Sequence, residues 1–232
     1  MSSYIDAEFD EIIIRKRLGT TRVHIRIGTD GKLVVTAPRY TPLMYIKQVV
    51  NSSREELRTM LAQTGSGQQY IEGQSIGKSH TLRAIHTGMV ARPEVKVTRQ
   101  TLVVSLPPSH SLTDKLVQRL VRDETIKILR REAKAYLPRR LKYLASEHDF
   151  SYERIRFSHS SGRWGSCSSN GTISLNIALM KLPHELIDYV LIHELCHTRQ
   201  MNHSAAFWSE VERYDPHYRL HRQQIKRETP TV

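Results

Sequence analysis

Three histidines and one glutamate lie within the eleven residues HELCHTRQMNH, which span positions 193 to 203. His193 and His197 are four residues apart, so on a helix both side chains project from the same face. Two imidazoles held in this way can bind one zinc ion without bending the backbone. Glu194 is rotated by one residue from His193 and can reach a water in the open coordination position of the ion. This pattern predicts zinc-assisted hydrolysis with Glu194 as general base.

Two helical histidines leave a zinc ion under-coordinated, and His203 is the candidate for the third ligand. The six residues from His197 to His203 correspond to about 240° on a straight helix, so the chain must turn between them. Asn202 is the residue expected at this turn, because asparagine tolerates the left-handed conformation at a helix end. The sequence therefore predicts a site made of His193, His197 and His203 that binds Zn²⁺.

Two other interpretations of the same residues stay open. A structural zinc site is one, although such sites usually have four protein ligands and often include cysteine. Cys196 lies within the motif, but on a helix it points about 100° away from each flanking residue, so it is predicted to be a small buried apolar side chain. A chance cluster of histidines on one helix is the other.

The element that must carry these side chains is a helix over LPHELIDYVLIHELCHTRQ. Pro183 suits its first turn, where the missing N–H costs nothing. Four apolar residues at helical spacing predict that the helix packs into the core: Leu186, Ile187, Val190 and Leu191. RIRFSHS and TISLNIAL precede it as predicted strands, and Asn170-Gly171 suits a tight turn between the loop and the second of them.

Near the start of the chain, apolar and polar residues alternate as they do in strands, as in IIIRKR, TRVHIRI and KLVVTAP, and a hairpin turn is predicted at Asp30-Gly31. One helix is predicted from Pro42 to about Leu61, followed by the polar segment TGSGQQ, and strands resume from Tyr70 to Leu106. A long helix then begins at a Thr113 cap and is ended or kinked by Pro138. No internal repeat is evident. The expected fold class is α+β, with a β-rich region at 1–108 that contains one helix and a helix-rich domain at 109–232 with a small sheet.

The composition is basic, with 35 Lys and Arg against 23 Asp and Glu, a formal net charge of +12 and a pI near 9.9. Such a surface attracts polyanions, so nucleic acid is a possible partner, although no helix-turn-helix, zinc-finger or RNP signature accompanies the charge. No apolar run approaches the roughly 20 residues that a bilayer requires. The polar, acidic N-terminus and two cysteines without CxxC spacing favour a cytoplasmic protein.

Three segments in order, RWGSCSSNGTISLN, DYVLIHELCH and NHSAAFW, resemble the YgjP-like metallopeptidase family, a zincin family related to WLM and SprT-like protease domains. The resemblance implies a zincin-like metallopeptidase domain at 109–232. In it His193, His197 and His203 bind zinc, Glu194 is the base, and the substrate is a peptide or protein. The resemblance also implies that the strand near GTISLN runs beside the cleft, and that Phe207 and Trp208 pack beneath the site. Metzincin peptidases share the histidine spacing but have a glycine where this chain has Gln200, which argues against that group.

Arg163 is left with two possible roles, which are to anchor a loop or to stabilise an oxyanion. His184 lies too far along the helix to join the ligands, and His159 is expected to be a hydrogen-bonded surface residue. The alternative function is a basic, nucleic-acid-associated binding module with a structural zinc site. A combination of the two is a peptidase that acts on nucleic-acid-associated proteins. The sequence makes no prediction of the oligomeric state.

Overall fold

The computed structural model describes residues 2–28, 32–65 and 69–232. The predicted turn at Asp30-Gly31 and residues 66–68 of the polar segment TGSGQQ lie outside these ranges. Six α-helices and eleven strands are present in the described residues, which confirms the α+β class. The chain divides into two compact units, Met1–Gln68 and Gln69–Val232.

The first unit is a mixed sheet packed on two helices. Its elements in chain order are β1 (Ser2–Asp6), β2 (Asp10–Arg17), β3 (His24–Ile27), β4 (Leu33–Pro38), α1 (Leu43–Ser52) and α2 (Arg54–Gly65). The strand order is β1-β2-β4-β3, and the central pair β2 and β4 is parallel. The single helix predicted for this region is two helices, because the backbone departs from helical geometry at Ser53. The core of the unit contains Ile12, Val35, Ile46, Val50 and Leu57.

The second unit begins with a sheet of the same kind. Its elements are β5 (Ser75–Ile76), β6 (His80–His86), β7 (Glu94–Val97), β8 (Thr101–Leu106) and the 33-residue helix α3 (Lys115–Glu147). The strand order is β5-β6-β8-β7, and the central pair β6 and β8 is again parallel. α3 begins after Asp114 rather than after the predicted Thr113 cap. The first half of α3 closes this core with Val117, Val121 and Ile128.

The two sheets are structural repeats, which corrects the expectation of no internal repeat. Leu33–Pro38 and the segment LVVSLP at 102–107 occupy the same position in their sheets. The registers match pair for pair: Ile25 faces Val35 and Ile27 faces Leu33, as Val95 faces Val104 and Val97 faces Leu102. The helices match as well, because Ile46, Val50 and Leu57 have the spacing of Val117, Val121 and Ile128 in the second core. LVVTAP and LVVSLP share four of six residues, whereas other buried positions, such as Ile25 with Val95 and Ile27 with Val97, share only apolar character, so the repeat is hard to see in the sequence.

This repeat explains where the compact units divide. The predicted boundary at Pro107-Pro108 would separate the second sheet from the helix that completes its core, whereas the structure divides the chain at residues 68 and 69. Ile128 belongs to the core of the repeat and Leu129 to the next core along the same helix. α3 is therefore shared by two apolar cores.

The remaining elements surround the second half of α3. They are β9 (Arg154–Ser158), β10 (Gly165–Cys167), β11 (Thr172–Asn176), a 3₁₀ turn (Ile177–Lys181), α4 (His184–Cys196), α5 (Ala205–Tyr214) and α6 (Tyr218–Ile225). β11 is central, antiparallel to β10 and parallel to β9. Gly171 has φ of +75° at the predicted turn before β11, a conformation that favours glycine.

Pro138 neither ends α3 nor separates it into two helices, since α3 continues to Glu147. Leu137, Leu141 and Leu144 are buried around it, and their burial offsets the backbone hydrogen bond that proline cannot donate. Across the described residues no helix is long and apolar enough to span a membrane.

Candidate metal centre

α4 positions the first two predicted ligands. Pro183 precedes its first residue, and the apolar stripe that includes Ile187 and Leu191 is buried in the core. This burial fixes the rotation of the helix about its axis. His193 lies in its last turn and His197 immediately follows it, so both imidazoles leave the same face.

The three predicted histidines lie together. The Nε2 atom of His193 is 3.2 Å from Nε2 of His197 and 3.1 Å from Nε2 of His203. Their ligating atoms all lie within 4.8 Å of one another. Nitrogens bound tetrahedrally to zinc at about 2.0–2.1 Å are separated by about 3.3 Å. The donor set therefore fits one ion of this size, and the exposed side of His203 leaves a direction open to substrate.

Burial disfavours protonation of His193, the central histidine of the cluster. Burial, followed by the neighbouring His197, His203 and Arg222, lowers the pKa of His193 to about 3. A neutral imidazole is the form that binds a metal ion. Its Nδ1 atom is buried, with no hydrogen-bond partner in the described part of the chain.

Backbone hydrogen bonds make the turn from His197 to His203. Thr198 N donates to Leu195 O, and the N–H groups of Arg199 and Gln200 both donate to Cys196 O. Within the described ranges only Asp10 and Asp149 have positive φ among residues other than glycine, so the expectation of a left-handed Asn202 is wrong. No glycine is needed at Gln200 because the helix ends in tightened turns instead. The Gln200 carbonyl also accepts a hydrogen bond from His197 Nδ1 at 3.0 Å, which leaves Nε2 free to bind metal.

The side chain of Arg199 holds this turn against its surroundings. It donates to Glu210 Oε1 at 2.8 Å on α5 and to Asp149 O at 2.6 Å beyond the end of α3. Its guanidinium carbon lies 4.1 Å from the ring centroid of Phe150. α5 and the loop that follows α3 are thus tied to the segment that delivers His203.

Phe207 and Trp208 form the floor of the histidine cluster, as the resemblance implied. The Phe207 ring stacks on His197 with centroids 4.5 Å apart and meets the His193 ring edge-on at 4.9 Å. Trp208 stacks on His203 at 5.5 Å. The backbone N–H of Phe207 bonds to the side chain of Ser204, the residue that caps α5. These aromatic rings restrict the orientation of all three imidazoles.

Glu194 is buried beside the cluster. Only 4% of the residue is exposed, and its Oε2 atom lacks a hydrogen-bond partner among the described residues. Burial raises the pKa of this carboxyl to about 8, and the positive charge of Arg163 opposes the rise. Gly165 makes room for it, because a Cβ at that position would lie 2.6 Å from Glu194 Oε1.

The strand that faces Glu194 is β10, rather than the strand over GTISLN that the resemblance implied. β11, which contains TISLN, is the inner neighbour of β10, and β10 is the terminal strand of its sheet. Asn176 holds the loop before β10, since its Nδ2 donates to Ser160 O at 2.6 Å and to Arg163 O at 3.0 Å. The backbone of Arg163 is therefore anchored while its side chain is exposed.

The other histidines and the cysteines lie outside the cluster. His184 bonds to the Tyr136 hydroxyl at 2.9 Å, consistent with its exclusion. His159 is half-buried, and its burial and two nearby arginines lower its pKa. Cys196 is fully buried, as predicted. Cys167 lies near Glu194, and burial raises the pKa of its thiol to about 11.

Three residues at the site were missed by sequence reasoning. The signal for Gly165 in the sequence was a glycine within a strand, which often marks the close approach of another group to the backbone. The signal for Asn176 was a polar residue within the apolar run TISLNIAL. The carbonyl of Gln200 had none, because any residue supplies a carbonyl.

The chain matches a known family over most of its length. The sequence model described as YgjP-like, metallopeptidase domain, matches residues 21–228. Similar solved structures include the metallopeptidase zymogen of Pyrococcus abyssi abylysin, at 28% identity and a TM-score of 0.35 over 38% of this chain and 90% of that one. The metallopeptidase zymogen of Methanocaldococcus jannaschii jannalysin is similar at 20% identity and a TM-score of 0.35, over 39% and 93% of the two chains. None of the curated proteins matches significantly. Because the family match covers nearly the whole chain, the protein belongs to the YgjP-like metallopeptidase family.

Proposed function

We propose that this protein is a zinc-dependent peptidase whose active site is the histidine cluster and Glu194. The observation that carries the proposal is the convergence of three imidazole Nε2 atoms beside a buried carboxylate. His193, His197 and His203 would hold the metal. When bound, zinc polarises a carbonyl and lowers the pKa of water, which is the chemistry that amide hydrolysis requires.

Glu194 acts as general base in this proposal. Its carboxylate accepts a proton from the attacking water and passes it to the leaving amine, so the same oxygen serves both steps. Its burial and the unpartnered Oε2 support this role, because no other described side chain competes for that oxygen. Gly165 leaves the space that the carboxylate occupies.

The terminal strand β10 would bind the substrate backbone. One edge pairs with β11, and a terminal strand directs alternate N–H and C=O groups away from its sheet. An extended peptide can pair with this edge by strand addition and so pass Glu194. The substrate would therefore be an unfolded or extended polypeptide segment.

The decisive experiment compares Glu194→Gln with the wild type on an unfolded protein substrate. We expect the variant to retain stoichiometric zinc by elemental analysis and to lose hydrolysis by at least about two orders of magnitude. Glu185→Gln is the matched control, since Glu185 is an exposed carboxylate on the same helix. Cleavage by Glu194→Gln at the wild-type rate would exclude this residue as the base.

His203→Ala tests the ligand set. We expect this variant to lose zinc, because two histidines on one helix leave the ion under-coordinated. His217→Ala is the control, since His217 lies beyond α5 and outside the cluster. Full retention of zinc by His203→Ala would require another third ligand.

The competing function is a nucleic-acid-associated module with a structural zinc site, and the net charge of +12 favours it. A site with three histidine ligands and an exposed side suits catalysis, whereas a structural zinc site usually has four protein ligands. Salt-dependent binding to DNA or RNA without hydrolysis of any unfolded protein would favour the module. Binding of nucleic acid together with hydrolysis would support a peptidase that acts on nucleic-acid-associated proteins. The proposed location is the cytoplasm, where free thiols such as Cys167 and Cys196 persist.

A further inference from the structure

Each structural repeat ends its sheet with an equivalent strand, β3 in the first and β7 in the second. One face of these strands is apolar and partly buried against the repeat's core: Ile25 and Ile27 on β3, Val95 and Val97 on β7. The other face is exposed and carries a basic residue at equivalent positions, Arg26 on β3 and Lys96 on β7, and the exposed Arg22 and Arg92 lie two residues before each strand. The same distribution of side chains therefore occurs twice.

β3 and β7 each have one edge that pairs with no other strand of the described residues, and these edges present main-chain groups at equivalent residues. Gly28 N donates to Lys32 O, and Thr98 N donates to Thr101 O, which fixes the hydrogen-bonded pairs of each antiparallel ladder. Because hydrogen-bonded and non-hydrogen-bonded pairs alternate, Ile25 and Val95 direct their N–H and C=O groups away from the sheet. Unpaired groups of this kind can accept another strand.

An apolar helix surface accompanies the edge. In the second repeat Val95, Leu116 and Leu120 contribute to a surface groove, and Leu116 is 55% exposed. The matching helix positions of the first repeat are Tyr45, which is 52% exposed, and Val49. Exposed large apolar side chains are thus kept at the same place in both copies.

We propose that β3 and β7 are two equivalent docking edges for an extended polypeptide segment in which apolar and acidic side chains alternate. Strand pairing places alternate side chains of the bound segment on opposite faces. One set lies beside the apolar helix positions Leu116 and Leu120, and the other lies beside Arg92 and Lys96. The proposal concerns binding alone and does not depend on the proposed peptidase activity.

The two edges differ at one position. Glu94 lies between Arg92 and Lys96 and forms an ion pair with Lys96 at 3.1 Å, whereas the equivalent residue on β3 is His24. The first edge therefore carries more uncompensated positive charge. We expect it to bind the acidic segment more tightly than the second edge does.

A polypeptide fits these edges better than a nucleic acid. The arginine and lysine side chains would attract either polyanion. Only a polypeptide backbone can pair with the outward N–H and C=O groups at Ile25 and Val95. Removal of an outward N–H should therefore weaken the binding of a polypeptide but not that of a nucleic acid, since a nucleic acid bound through its phosphates does not need this group.

The test is calorimetric titration of the full chain carrying Glu194→Gln with an alternating Val-Glu peptide of about ten residues. This substitution prevents cleavage if the protein is a peptidase and changes nothing at either edge if it is not. We expect two peptides per chain beyond any that β10 binds, with the same residues in block order binding about tenfold more weakly. An alternating Val-Lys peptide and a single-stranded oligonucleotide complete the set of probes.

Proline substitutions test the backbone pairing. Val95→Pro removes an outward N–H without removing a bond within the sheet, and Ile25→Pro does the same in the first repeat. We expect each single variant to bind one peptide fewer than the parent protein and the double variant to bind two fewer. Val95→Ala and Ile25→Ala are the controls that keep the N–H, and thermal unfolding checks that each variant is folded.

Charge reversal provides a second test if the proline variants fail to fold. Replacing the exposed Arg22, Arg26, Arg92 and Lys96 by glutamate should shift the preference from the Val-Glu to the Val-Lys peptide by at least about tenfold. Three outcomes would overturn the proposal: no binding of the Val-Glu peptide, equal binding of the block peptide, or full binding by a folded double proline variant. An oligonucleotide that binds at both edges despite the proline substitutions would assign them to nucleic acid instead.

Discussion

At the scale of single residues, the candidate site depends on small residues that leave space for other side chains as much as on residues that would bind a metal ion. HELCH is visible in the sequence because its spacing is local to one helix. Gly165 becomes meaningful only when β10 is placed against α4, which depends on a sheet that the linear sequence does not specify. The space that a side chain at position 165 would fill is occupied by the Glu194 carboxyl group.

Gly165→Ala should displace the Glu194 carboxylate, because the added Cβ would lie 2.6 Å from Oε1 and 2.8 Å from Cγ. We expect kcat for peptide hydrolysis to fall on the order of a hundredfold while zinc content is unchanged. Gly162→Ala is the matched control, since a Cβ there has nothing within 4 Å. Equal activities of the two variants would show that Glu194 tolerates displacement.

The stability of the metal-free protein should depend on pH through Glu194. Its folded-state pKa of about 8 exceeds the value of 4.5 for an exposed glutamate, so the folded state binds this proton more tightly. That contribution to stability is fully present below about pH 4.5 and is lost as the pH rises through 8. We expect Glu194→Gln to be more stable than wild type by a few kcal/mol at about pH 9, with the difference shrinking towards about pH 5. Denaturant unfolding of chelator-treated protein measures it, and a difference that grows on acidification would contradict the assignment.

At the scale of elements, local patterns were predictive and long-range pairings were not. The helix over HELIDYVLIHELC and the turn at Gly171 follow from periodicity and from glycine's conformational freedom. The parallel pairs β2–β4, β6–β8 and β9–β11 join segments separated by other elements, so no local pattern specifies them. The turn after His197 was predicted at the wrong residue because backbone hydrogen bonds and Arg199 stabilise it, without a left-handed residue.

Arg199→Met should loosen the segment that delivers His203. The variant loses charge-assisted hydrogen bonds to Glu210 and Asp149, and we expect destabilisation of about 1–3 kcal/mol. We also expect zinc affinity to fall by about tenfold, as for other residues that orient metal ligands. Chelator competition and thermal unfolding measure the two effects.

Arg219→Met is the control for Arg199→Met. Its ion pair with Glu212 spans 3.5 Å between exposed side chains, so its loss should lower the melting temperature far less than Arg199→Met does. If both variants bind zinc as the wild type does, the turn is held by its backbone hydrogen bonds alone.

At the scale of the whole molecule, the unit Gln69–Val232 contains every residue of the candidate site. We expect residues 69–232, expressed alone, to fold and to retain hydrolysis of short peptides. A fragment that begins at residue 109 should fail to fold, because it exposes Val117, Val121 and Ile128. Circular dichroism and calorimetry distinguish the outcomes, and a folded 109–232 fragment would show that the second sheet is dispensable.

The continuity of α3 has a consequence for cooperativity. Its first half completes the core of the second repeat and its second half packs in the core that supports α4. Neither core can open without breaking the helix that both require. The two should therefore melt in a single calorimetric transition, and the candidate metal centre should gain its rigidity from a sheet that contributes no ligand to it.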